Sequence, residues 1–155
     1  MTPDRIVLIR NSWPTIEANI DALTSAFYAR LFAIDASAAA LFAGVDMSAQ
    51  RAKLARSLAV VVHALDDPDS LLPALAALGK RHTAYGVEHH HFDSVGEAVV
   101  KALAQTLGDA FTSNLRDAWV EAYAIVASVM RRALIRAHSG GSNEETTAIN
   151  AVRRA

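Results

Sequence analysis

The stretch LGKRHTAYGVEHHHFDSVG, residues 78–96, holds four of the chain's six histidines within ten positions. His82 stands alone. Leu71, Leu75 and Leu78 precede it at helical spacing, so it continues the apolar stripe of a helix. An imidazole on such a face points inward. It reads either as a core histidine held by a hydrogen bond or as a metal ligand, because a neutral imidazole on a rigid apolar helix is a good donor to a metal ion. His89, His90 and His91 are consecutive, so their rings diverge on a helix or a strand. In a polar connector after YGVE they read as a solvated loop, with a surface metal site as the lesser alternative. His63 reads as structural or solvated, and His138 as part of the C-terminal tail.

A second set of residues faces the same kind of surface. Gln50, Leu54, Ser57 and Val61 share one face of a long helix, with Gln50 one turn ahead of Leu54 at the entrance to apolar surface. Taken alone, Gln50 is a solvated residue at a helix start. Tyr28 lies on a helix with Phe27, Leu31 and Phe32, and alone it is a core tyrosine with a satisfied hydroxyl. With His82 they suggest a pocket holding one coordinating base and two neutral hydrogen-bond donors. Haem iron asks for such a base. Asp66, Asp67 and Asp69 lack the ligand spacing and glycine of an EF-hand and read as helix-ending and capping residues. No GxGxxG, phosphate-binding loop, nucleophile elbow or HExxH motif is present. The absence of cysteine excludes disulfides, iron–sulfur clusters, thiolate ligation and covalent attachment of haem through cysteine.

The elements that must position these residues are helical. The 155 residues are 52% hydrophobic, with only seven glycines and four prolines, which suits one all-α domain and not a turn-rich β fold. A net charge of −1 makes no electrostatic case for nucleic acid or an anionic membrane. No apolar run approaches the ~20 residues of a membrane helix, and no signal-peptide segment is evident, so a cytoplasmic protein is expected. Thr2 and Pro3 open the first helix, which Pro14 kinks or ends. A second helix carries Leu23, Phe27, Leu31 and Phe32, followed by a short helical turn in DASAAALF. Ser48 is expected to cap a third long helix reaching about Leu65, and Asp69 or Ser70 the next, after the break DDPDS. A break at YGVEHHHFDS precedes a helix from about Ser94 to Leu107, and the last helix spans about Asn114 to Ala137. The expected division is a domain over 1–138 and a mobile tail over 139–155, where the apolar stripe is lost.

The segments SW (12–13), FYARLF (27–32), LF (41–42), LGKRHTAYGV (78–87), HFDSVGEAVVKAL (91–103) and AWVEAYAIVASVM (118–130), in that order, resemble a bacterial single-domain globin of the flavohaemoglobin branch. The resemblance covers about residues 4–135. It implies a three-over-three helical sandwich enclosing non-covalent haem b, with His82 as the proximal iron ligand. It places Phe42 against the porphyrin, Tyr28 and Gln50 as the distal pair, and Leu54 as the apolar wall beside the gas ligand. The 32-residue separation of Gln50 and His82 fits that family's spacing. Lys53 and Arg81, with Lys80, could meet the haem propionates, although Arg81 could equally face solvent. The implied ligands are O2, NO and CO, and two donors imply tight oxygen binding and nitric oxide dioxygenation driven by a separate reductase. A six-coordinate redox, electron-transfer or gas-sensing globin and a cofactor-free globin-like interaction module are the alternatives; no oligomeric state is implied.

The sequence departs from that family in two places. Phe92 stands where a tyrosine is usual, and Met130–Leu134 lacks the partnering glutamate, so less electron density should reach the proximal histidine. No flavin or nicotinamide domain follows residue 138 in this sequence.

Overall fold

Thr2 accepts a hydrogen bond from the Arg5 N–H at 3.4 Å, and Pro3 takes the first helical position of α1 (Pro3–Ala18). In the computed structural model, which describes residues 1–139, six further α-helices follow: α2 (Ile20–Ile34), α3 (Ala36–Leu41), α4 (Met47–His63), α5 (Pro68–Ala84), α6 (His89–Leu107) and α7 (Ser113–Ser139). A single 3-10 turn, Gly108–Ala110, joins the last two, and the described residues contain no strand. Nearly all of the expected tail, residues 140–155, lies outside the described residues.

Helix boundaries depart from expectation where several capping residues crowd together. Pro14 does not end α1, which continues one turn beyond it to Ala18. Asp46, not Ser48, caps α4, accepting the N–H groups of Ser48 (3.0 Å) and Ala49 (3.3 Å), and the helix ends at His63. Asp67, not Asp69 or Ser70, caps α5; its carboxylate accepts from the Ser70 N–H and hydroxyl, with Pro68 at the first helical position. In each case the capping carboxylate sits just before the first helical residue, where it faces the free N–H groups and the positive end of the helix dipole. The largest departure is α6, which begins at His89 and not near Ser94. Glu88 caps the His91 N–H, and His91 Nδ1 accepts the Glu88 N–H at 2.9 Å, a reciprocal capping box.

The most extensive helix pairings are α5 on α7 and α2 on α6, and α1 packs on α7 as well as on α4 and α6. One apolar cluster joins Ile9, Trp13 and Ile16 of α1 to Leu23 and Phe27 of α2, Leu103 of α6 and Trp119 of α7. A second joins Phe92 of α6 to Met130 and Leu134 of α7, with Leu78 of α5 packed against it. α5 approaches α7 closely at Gly79, where an added Cβ would lie 2.9 Å from Met130 Cα and 3.0 Å from Ala133 Cβ. This contact locks α5 in place one turn before His82. Gly86, at φ +85°, supplies the left-handed residue just beyond the end of α5. α4 packs on α1 and α2 while α5 packs on α7, and the two hardly touch each other.

Candidate functional site

Tyr28 is buried on α2 among three aromatic rings. Phe27 meets it edge-on with centroids 4.9 Å apart, Phe42 edge-on at 5.4 Å and Phe32 tilted at 5.8 Å. Phe42 reaches it from the C-cap of α3. Gln50, in the first turn of α4, donates Nε2–H to the Tyr28 hydroxyl oxygen at 3.2 Å. Burial raises the Tyr28 pKa above its ordinary value, with the Gln50 bond opposing, so the phenol is neutral at pH 7. Its acceptor capacity is thus used by Gln50, while its own O–H donates to no group among the described residues. Leu54, one turn along α4, packs with Phe27, Leu58, Trp13 and Trp119 around a small apolar cavity.

His82 is partly buried on α5. Its Nδ1 lies 2.8 Å from the Leu78 carbonyl oxygen, which only accepts, so Nδ1 carries the proton and Nε2 keeps a free lone pair. Burial lowers the His82 pKa below the ordinary histidine value; the Leu78 carbonyl opposes this and the Arg81 charge adds to it. The ring is therefore a neutral base at pH 7. Tyr85, three residues further on at the C-cap of α5, meets the ring edge-to-face with centroids 5.7 Å apart, a contact that the local pattern did not single out. No carboxylate or phenol bonds to His82, and Leu78 is its one hydrogen-bond partner among the described residues.

The surroundings of Phe92 match the departure noted from sequence. Phe92 is buried beneath the Arg131 guanidinium, 5.3 Å from its ring centroid, and Arg131 is paired with Asp93 at 2.7 Å. The Tyr123 hydroxyl donates to the Phe92 carbonyl and is not directed at His82. Lys53 and Arg81 are exposed and form no ion pair among the described residues. Of the expected residues, Tyr28, Gln50 and Phe42 are brought into one cluster, with Leu54 a turn away; His82 occupies a different helix.

The triple histidine is not a solvated loop. All three residues lie in the first turn of α6; His89 and His90 are exposed, but His91 is buried against Ser37 of α3, with Nε2 2.9 Å from Ser37 Oγ. The overlooked signal is Glu88 three residues ahead of His91, the spacing of a capping box.

The globin family model matches residues 25–130, and the chain belongs to the globin family. The flavohemoprotein of Bordetella parapertussis is 31% identical over 132 residues, covering 84% of this chain and 33% of the relative. That of Xylella fastidiosa is 32% identical over 139 residues, covering 87% and 35%. The chain thus spans about a third of the length of these curated relatives. Among solved structures, an engineered carbene transferase made from a candidate nitric oxide dioxygenase of Rhodothermus marinus superposes with a TM-score of 0.81 at 25% identity, covering 90% of this chain and 96% of its own. A hexacoordinated haem protein from an anhydrobiotic tardigrade gives 0.79 at 20% identity, covering 86% and 95%, a likeness of fold.

Proposed function

We propose that residues 1–138 form a haem-binding domain that takes O2, NO or CO between a Tyr28–Gln50 pair and His82. Membership of the globin family supports a haem, and the donor set fits one. His82 offers a neutral imidazole whose Nδ1 is engaged, leaving Nε2 to ligate iron. Haem b, held non-covalently in a chain without cysteine, supplies the iron that binds a diatomic gas. In this reading Phe42 packs on the porphyrin, Leu54 excludes water beside the ligand, and Arg81 and Lys53 meet the propionates.

The observation that carries the reading is the direction of the Gln50–Tyr28 bond. Because Gln50 donates, the Tyr28 proton is oriented and free to be given to a ligand that has gained negative charge. Such a bond contributes on the order of 1–3 kcal/mol, or about five- to a hundred-fold in affinity. Slow oxygen release suits scavenging or nitric oxide dioxygenation more than bulk delivery. The name of the Rhodothermus marinus neighbour favours dioxygenation, with electrons from a reductase outside these residues. The neutral Leu78 partner of His82 gives the imidazole no anionic push, which favours gas binding over peroxidase chemistry. No described helix is long and apolar enough to cross a membrane, and the cytoplasm is the proposed location. Stopped-flow oxygen release from Tyr28→Phe should be at least about five-fold faster than from wild type. Unchanged release would remove Tyr28 from the ligand pocket.

A further inference from the structure

We propose that Asp35, His90 and His91 form a binding site for a divalent transition-metal ion of the zinc type. The site lies at the junction of α3 and α6 and does not rest on the haem reading. The three side chains each place a ligand atom within 4.8 Å of the others. Adjacent helical residues ordinarily aim their rings apart, but here the His90 and His91 centroids are 4.1 Å apart.

The Ser37 hydroxyl marks the centre of the cluster. It lies 2.9 Å from His90 Nε2, 2.9 Å from His91 Nε2 and 2.5 Å from Asp35 Oδ1. Three ligand atoms therefore already converge on a volume the size of one small atom. Ligands of tetrahedral zinc, at about 2.0–2.2 Å from the metal, stand roughly 3.3–3.5 Å from each other. His90 Nε2 is 3.7 Å from Asp35 Oδ2, so only a small contraction is needed once the Ser37 hydroxyl turns away.

The outer contacts also suit ligation. Glu88 Oε2 lies 3.4 Å from His90 Nδ1, which orients Nε2 toward the cluster as a carboxylate–histidine–metal arrangement requires. Ser94 Oγ donates to Asp35 Oδ2 at 2.7 Å, and the Asp35 carboxyl, bonded by Ser37 and Ser94, is held well below the ordinary carboxylate range. One carboxylate and two imidazoles suit Zn2+, Ni2+ or Cu2+ and not Ca2+ or Mg2+. The half-exposed side of His90 leaves a fourth position for water.

Existing bonds oppose the ion: Ser37 Oγ holds all three side chains, Asp35 Oδ1 caps α3 by accepting from the Ser37 and Ala38 N–H groups, and His91 is part of a capping box. His91 Nδ1 now accepts the Glu88 N–H, so its ring proton sits on Nε2. Ligation through Nε2 requires that proton to move to Nδ1, which breaks the capping box. The Glu88 amide is therefore a reporter of binding.

The test is zinc titration of the haem-loaded protein by calorimetry, with the visible spectrum followed to confirm that the His82 site is undisturbed. One ion per chain should bind. His90→Ala should weaken binding by at least about ten-fold, because a ligand is lost. His89→Ala should leave it unchanged, and the Glu88 amide resonance should move on addition of zinc. Asp35→Asn, which keeps the side-chain shape, should weaken binding as His90→Ala does. No binding up to about 0.1 mM, or equal losses from His89→Ala and His90→Ala, would overturn the proposal. The second result would identify an adventitious surface histidine cluster.

Discussion

Replacing Gly79 by alanine tests how α5 is held. The new methyl group would lie 2.9 Å from Met130 Cα, 3.0 Å from Ala133 Cβ and 3.1 Å from the Met130 carbonyl oxygen. Two of these are backbone atoms and the third is fixed to the backbone, so none can rotate aside. Two effects compete. Alanine favours a helix interior over glycine by about 1 kcal/mol. Forcing a methyl into a closed contact costs roughly 1–3 kcal/mol, and backbone neighbours place this site in the upper part of that range. The net loss should be about 1–2 kcal/mol, which for a chain of this size lowers Tm by roughly 3–8 °C. α5 must also move off α7, and His82 lies one turn further along it. The haem-loaded variant should therefore lose haem to an apo-globin acceptor faster than wild type. Thermal unfolding followed by circular dichroism reads the first effect and haem transfer the second. A Gly79→Ala protein as stable as wild type, or more so, would refute the close approach of α5 and α7.

Acid should destabilise the haem-free protein in two windows. The folded chain depresses the His82 and His91 pKa values, so the unfolded chain binds more protons; their contribution is complete above the ordinary histidine value of about 6.5 and is lost as pH falls below it. The Asp35 pKa is depressed in the same sense, so its contribution is present above the ordinary carboxylate value and lost as pH falls below it. Denaturant titrations of the haem-free protein between about pH 8 and 5 should show the midpoint falling, by up to ~1.4 kcal/mol per pH unit for His82; a flat profile would contradict the buried neutral imidazole. Asp67→Ala removes the α5 cap and should cost about 1 kcal/mol in urea unfolding, whereas Asp69→Ala should cost less.

The helices were legible because their apolar residues recur at helical spacing, as Leu71, Leu75 and Leu78 do before His82. Their ends were not, wherever several capping residues stood together. Asp46 and Ser48, or Asp67, Asp69 and Ser70, are all competent caps, and only the local turn decides which carboxylate meets the free N–H groups. α6 hid its first turn because three histidines carry no apolar stripe, and the cap at Glu88 uses His91 as its reciprocal partner. The inward faces of Tyr28, Gln50 and His82 could be read one helix at a time. The Gln50–Tyr28 bond could not, because it depends on how α4 crosses α2. The burial of His91 was equally invisible, since it depends on Ser37 arriving from a helix more than fifty residues earlier in the chain.

The central claim is that His82 Nε2 is a free, neutral base that ligates haem iron while the Tyr28–Gln50 side stays open to a gas. The most direct measurement is the visible absorption spectrum of the haem-loaded protein, reduced without oxygen and then exposed to CO, for wild type and His82→Ala. The account predicts a five-coordinate ferrous spectrum in wild type that converts cleanly to a CO complex, and loss of normal ligation in the variant. A six-coordinate ferrous spectrum, a His82→Ala spectrum identical to wild type, or failure of the wild-type chain to take up haem would contradict it.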